Sequence, residues 1–144
     1  MSFISCLLVM IGGAIGTLGR FLVGYASRSI SHEFPWGTVL GINVVGSFII
    51  GFFGTLTLTH GRFPVSENTR LFVMVGLCGG YTTFSSFSLQ TLDLIRAGAW
   101  EKALANVVLS CALCVLAVAA GHGIASHLNG HAIEIAQLDI EEES

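Results

Sequence analysis

The residues best suited to chemistry lie between Gly76 and Ser88. Three glycines, Gly76, Gly79 and Gly80, are followed by a run of hydroxyls, Thr82, Thr83, Ser85, Ser86 and Ser88, interrupted by Phe84 and Phe87. The segment sits inside a stretch free of charged residues, so it is read at membrane depth. There, non-helical backbone is tolerated only where protein buries it or where it lines a polar cavity. Gly79-Gly80 is the expected helix break, since glycine gives up helical order most easily. Carbonyls released by a break can coordinate a cation, and the half-helix that follows turns its amides toward an anion. The plainer alternative is a Ser/Thr-rich packing surface whose hydroxyls bond back to their own helix.

Phe84 and Phe87 are three apart and share a face if the chain is helical by then. A phenyl ring is negative on its face and positive at its edge, so rings presented edge-on can meet an anion without a buried formal charge. An anion held this weakly can also leave, as conduction requires. Thr83 and Ser86, among the neighbouring hydroxyls, are expected on the same path. Asn43 is a lone amide in the apolar run from Gly41 to Ser47. It supplies two N–H donors to an anion, or a hydrogen bond between helices. Asn106, Ser110 and Cys114 recur every four residues and form a possible polar stripe. Arg20 is the one cation near a span interior; snorkelling to the interface and drawing anions into a vestibule both remain open.

Other chemistries find little support. No Asp or Glu lies deep in an apolar stretch, where a proton-coupled exporter would keep a titratable group. No nucleophile–base constellation or metal-ligand cluster appears, so an enzyme is not expected. Cys111 and Cys114 have no second such pair and no membrane-depth carboxylate beside them, and they read as small packing groups, as do Cys6 and Cys78. His122 and His127 read as interfacial.

The elements that must position these residues follow from charge. The chain has 144 residues, 53% hydrophobic and 10% charged, against about 25% charged in an average soluble domain. Charged residues leave four gaps, 1–19, 34–61, 71–92 and 103–133. A helix crossing about 30 Å of hydrocarbon needs roughly 20 apolar residues, so four transmembrane helices are expected, at about 3–27, 37–59, 69–96 and 100–127. The N-terminal run lacks the basic region and cleavage pattern of a secretory signal and is read as the first helix. Residues 1–128 then form one membrane domain and 129–144 an acidic tail, with no space for a soluble catalytic or nucleic-acid-binding domain. Trp36 is expected at the headgroup level. Gly12, Gly16 and Gly19 fall on one side of the first helix, a small-residue packing face.

The net charge of −3 comes from the tail, which holds five of the nine acids; residues 1–133 have six bases and four acids. With four spans, Arg62 and Arg70 lie on one side, and Arg28, Arg96 and Lys102, with Arg20 near its edge, on the other. Because the excess of Lys and Arg orients a membrane protein, this small bias predicts weak commitment to one orientation. Insertion both ways would permit an antiparallel dimer, the two-chain counterpart of an inverted repeat.

Three blocks make the chain resemble the CrcB or Fluc fluoride channels. They are Gly12-Gly13, Gly16 and Arg20-Phe21; Gly37-Thr38, Asn43, Gly46-Ser47-Phe48 and Gly51; and the unbroken run from Gly79 to Ser88. The resemblance implies an all-α dual-topology homodimer in the bacterial inner membrane, with its third helix broken near the centre and two fluoride pores. It implies passive export of fluoride that entered as neutral HF. Phe84 and Phe87 match the family's phenylalanine box, Asn43 its conduction-path amide, Ser110 its fourth-helix polar track and Arg20 its first-helix arginine. Gly79 and Thr82 match the positions whose carbonyls hold a structural sodium ion. Phe21 stands where tyrosine is frequent, Gln90 where a glutamate often follows, and Asn106 where an aromatic hydroxyl is common. The competing readings are a small dual-topology multidrug transporter and a non-transporting membrane subunit.

Overall fold

The computed structural model describes residues 2–29, 36–59 and 61–130. Glu33, Pro35, His60 and the acidic tail from residue 131 lie outside the described residues. The regular structure of the described residues is all helical, and four helical stretches are long and apolar enough to span a membrane: Phe3–Ala26, Gly37–Leu56, Glu67–Arg96 and Trp100–Asn129. Helix α1 (Phe3–Ala26) starts where the Ser2 hydroxyl accepts the Ile4 N–H at 3.3 Å, and it ends in a short 3-10 turn, Ser27–Ser29. Helix α2 is Gly37–Leu56. The third span is two helices, α3 (residues 67–81) and α4 (Phe84–Arg96). Helix α5 is Trp100–Asn129, stopped by Gly130 in the left-handed region at φ 79°. Thus α2 ends three residues before the expected Thr59, and α5 runs two residues beyond His127.

Inside and outside are reversed relative to a water-soluble bundle. Phe3, Met10, Phe21, Leu104 and Val115 are largely exposed, as suits a lipid solvent. Among the described residues the largest fully buried side chain is an amide, Asn106, and Thr55, Thr83, Ser110 and Asn129 are buried, as are small residues such as Ala103 and Ala125. Lipid gives helices no hydrophobic reason to associate, so close packing and interhelical hydrogen bonds must hold them. Trp36 is buried at 6% exposure.

Helix pairs α1–α3 and α2–α5 make the most extensive contacts. Both rest on glycine. A Cβ on Gly12 or Gly16 would strike backbone of α3 at Phe72 and Leu77, and one on Gly80 would strike Gly13. On the other pair, a Cβ on Gly51 would meet Val118 and one on Gly121 would meet Phe48 and Phe52. Gly19 makes only ordinary contact with the Tyr81 ring, so the packing face of α1 is centred on Gly12 and Gly16.

The end of α2 is closed by side chains from two other helices. Arg70 Nη1 donates to the carbonyls of Gly54 at 3.1 Å and Thr57 at 2.8 Å. Asn129 Nδ2 donates to those of Thr55 and Leu56 at 3.0 and 3.2 Å, while its Oδ1 accepts the Arg62 N–H at 3.0 Å. The carbonyls a helix leaves unpaired at its C-terminus are thereby satisfied, with a guanidinium at the negative end of the dipole. His122, read as interfacial, bonds Thr55 Oγ1 through Nδ1 at 2.8 Å within this network.

Candidate functional site: a cavity at the break in the third span

The break lies at Thr82-Thr83, not at Gly79-Gly80 as expected. Gly79-Gly80-Tyr81 is helical, with Gly79 at φ −63°, ψ −37°. The glycines serve close packing: Gly80 presses its bare Cα against α1. The two threonines leave the helix instead, Thr82 at φ −76°, ψ 158° and Thr83 at φ −152°, ψ 105°. Branching at Cβ favours this extended backbone, and each hydroxyl serves the helix on its own side. Thr82 Oγ1 donates back to the Cys78 carbonyl at 2.9 Å, closing α3. Thr83 Oγ1 accepts the Ser86 N–H at 3.2 Å and caps α4. Upstream, Leu71–Cys78 winds as a π-helix, a form concentrated at functional sites.

Helix α2 holds the break at two points one turn apart. Gly46 leaves the notch that receives the Thr82 methyl group. Asn43 Oδ1 accepts the Thr83 N–H at 2.8 Å, and its Nδ2 donates to the Thr83 carbonyl at 3.1 Å. On the α1 side, Arg20 Nε donates to the Gly80 carbonyl at 3.2 Å, with Thr17 Oγ1 at 3.4 Å from the same oxygen.

A cavity of about 480 Å³ opens beside the break. Asn43, Gly79, Thr82, Phe84, Phe87 and Ser110 all line it. The two rings lie 5.3 Å apart between centroids and tilted by 46°, so neither stacks flat on the other. Phe87 is buried at 9% exposure and Phe84 stands out at 77%. From the cavity wall a relay of hydrogen bonds runs inward. Ser110 Oγ donates to Asn106 Oδ1 at 3.2 Å, Asn106 Nδ2 to Thr91 Oγ1 at 2.9 Å, and Thr91 Oγ1 to the Phe87 carbonyl at 2.8 Å. Electrostatically, the end of α3 is the negative pole of one half-helix and the start of α4 the positive pole of the other.

With this geometry, residues 7–122 match the family described as "CrcB-like protein, Camphor Resistance (CrcB)". The chain belongs to the CrcB family. Relatives named "Fluoride-specific ion channel FluC" include a protein of Methylobacterium radiotolerans, 68% identical over 143 residues and covering 99% of both chains. Another, from Gluconobacter oxydans, is 65% identical over the full length of both. A third, from Rhodospirillum rubrum, is 52% identical over 81% of this chain and 90% of its own. These CrcB relatives are named as channels, not enzymes, and the chain is a multi-pass membrane protein.

Of the residues singled out in the sequence, Asn43, Gly79, Thr82, Phe84, Phe87 and Ser110 meet at the CrcB cavity, while Thr83, Ser86 and Arg20 do not line it. Thr83 is buried within the break and Ser86 is hydrogen-bonded to it; Arg20 is occupied at Gly80. Two polar residues were not singled out above as site candidates. Ser47 lines the cavity four residues after Asn43, and Thr91 joins the relay four residues after Phe87. Helical spacing from a residue already chosen would have found both.

Proposed function

We propose that the chain conducts fluoride passively out of the cytoplasm, across the bacterial inner membrane, as an antiparallel dual-topology homodimer with two pores. The observation that carries this reading is the meeting of the tilted Phe84–Phe87 pair with Asn43 and Ser110 around one cavity. The name carried by relatives, one of them 68% identical, supports fluoride as the ion.

The residues divide the work. Phe84 and Phe87 present ring edges, whose positive potential attracts the anion without a fixed charge to trap it. The positive end of α4 adds to that potential. Asn43 spends one amide hydrogen on Thr83 and has a second for the cavity. The Ser110 hydroxyl leaves Asn106 to serve a passing fluoride, an exchange of one hydrogen bond worth only about 1 kcal/mol. Arg20 and Thr83 hold the break in shape from outside the path.

The same break suits a structural sodium ion. Arg20 takes the Gly80 carbonyl and Asn43 that of Thr83; the carbonyls that immediately precede these two in the chain, of Gly79 and Thr82, have no side-chain donor among the described residues. Hard cations prefer oxygen ligands of this kind, and the negative end of α3 favours one. A bound sodium would fix the two threonine turns of a dimer against each other. The nearly balanced basic residues and the exposed Phe84 fit a second copy inserted in the opposite sense.

The test is fluoride efflux from liposomes under a clamped potential. Rapid fluoride release that chloride does not replace is expected. Fluoride impermeability, or proton-coupled uptake of a cationic dye, would overturn the reading in favour of a drug transporter or a non-transporting subunit.

A further inference from the structure

The cavity wall is rich in sulfur, which neither ring edges nor hydroxyls explain. Met74 and Cys78 line it from α3, and Cys111 and Cys114 line it from α5. Cys111 is exposed and Cys114 partly so, whereas Cys78 is buried. Cys111 and Cys114 are three apart on an unbroken helix, which sets their Cβ atoms about 5–6 Å apart on one face.

That spacing selects a ligand class. Among the described residues no three His, Cys, Asp or Glu side chains come together as a metal site, so a zinc-like ion wanting four ligands is not served. A soft cation that takes two ligands in line is. Two metal–sulfur bonds of about 2.3 Å each span roughly 4.6 Å, within reach of two thiols at this separation. Thiolate and thioether sulfur also select soft cations over hard ones. We propose that Cys111 and Cys114 form a binding site for a two-coordinate soft cation, Cu(I), Ag(I) or Hg(II), whose occupation closes the cavity to fluoride. On binding Hg(II), both S–H bonds break, two S–Hg bonds form, and two protons pass to water; no oxidation state changes. The block rests on the cavity being the route of fluoride, whereas the binding does not, so the two are measured separately.

The experiment uses mercuric ion on full-length protein carrying Cys6→Ser, which removes the thiol outside the cavity. Native mass spectrometry of the solubilised protein counts mercury per chain, and liposome efflux is compared with each variant's own untreated rate. One mercury per chain is expected, resistant to a monothiol and removed by a dithiol, together with loss of fluoride efflux. Adding Cys111→Ser and Cys114→Ser should abolish both the monothiol-resistant mercury and the loss of efflux. Retention of that mercury in the doubly substituted variant would overturn the site. Full efflux from the loaded chain would overturn the block. If untreated protein passes no fluoride, the transport reading fails, while the mercury count still decides the site.

Discussion

Asn43 on α2 grips both backbone polar groups of Thr83 on the third span, at 2.8 and 3.1 Å, with a single amide side chain. Thr83 is where the helix ladder is interrupted, so its N–H and C=O would otherwise lack partners. An amide is the side chain that offers an acceptor and a donor side by side. Asn43 therefore does for the break what the next helical turn does elsewhere, and it borders the cavity while doing so.

Replacement of Asn43 tests this double role. Asn43→Ala strands two backbone groups, each worth about 1–3 kcal/mol when left unpaired, so a clear drop in thermal stability is expected alongside loss of fluoride efflux. Asn43→Asp keeps an acceptor for the Thr83 N–H but sets a carboxylate oxygen against the Thr83 carbonyl. It should be no better than alanine in either assay; wild-type stability in both variants would refute the clamp.

The two phenylalanines should separate in their effects. Phe84→Ile removes an exposed ring and Phe87→Ile a buried one. Efflux should fall sharply in both. Unfolding should be earlier chiefly in Phe87→Ile, by about 1 kcal/mol for a shape change in a packed site. Circular dichroism melts in detergent, read beside the flux of the same preparations, check the contrast.

Glycine substitutions on α1 should divide by position. A Cβ at residue 16 meets the Leu77 carbonyl and lies 2.9 Å from the Tyr81 nitrogen, whereas nothing lies within 4 Å of one at residue 24. Gly16→Ala should cost about 1–3 kcal/mol through overpacking. Gly24→Ala should be neutral or gain up to about 1 kcal/mol in helix propensity. Monodisperse yield and melting temperature distinguish them.

Ser110→Ala removes the cavity end of the relay and leaves the buried Asn106 Oδ1 without its hydroxyl donor. A slower fluoride efflux and a stability loss of about 1 kcal/mol are expected. Ser110→Thr, which restores the hydroxyl, should recover more of the flux than Ser110→Cys.

Much of this architecture could be read from the residues. Fifteen charged positions in 144 leave gaps that only spans explain, and one of the four long helical stretches falls across each gap. A break in the third span was legible from Gly79-Gly80 and the hydroxyls after them, but its place was not. In water a glycine pair is a weak point in a helix; between membrane helices it is also the means of close approach, and here packing against Gly13 keeps Gly80 helical. The break falls instead on two threonines whose hydroxyls can close one helix and open the next. Nothing in Leu71–Cys78 announces π winding, because its apolar side chains carry no signature of a wider hydrogen-bond register. The sequence left Arg20 between the interface and a vestibule; the fold commits its guanidinium to the Gly80 carbonyl.

The network at the end of α2 also sets a boundary for handling the protein. Asn129, the last helical residue, reaches back across 73 and 74 positions to the Leu56 and Thr55 carbonyls, and Gly130 turns the chain away directly afterwards. A reporter or affinity handle joined beyond Gly130 leaves that grip intact. One that replaces Asn129 would loosen the second helix from the far end of the sequence.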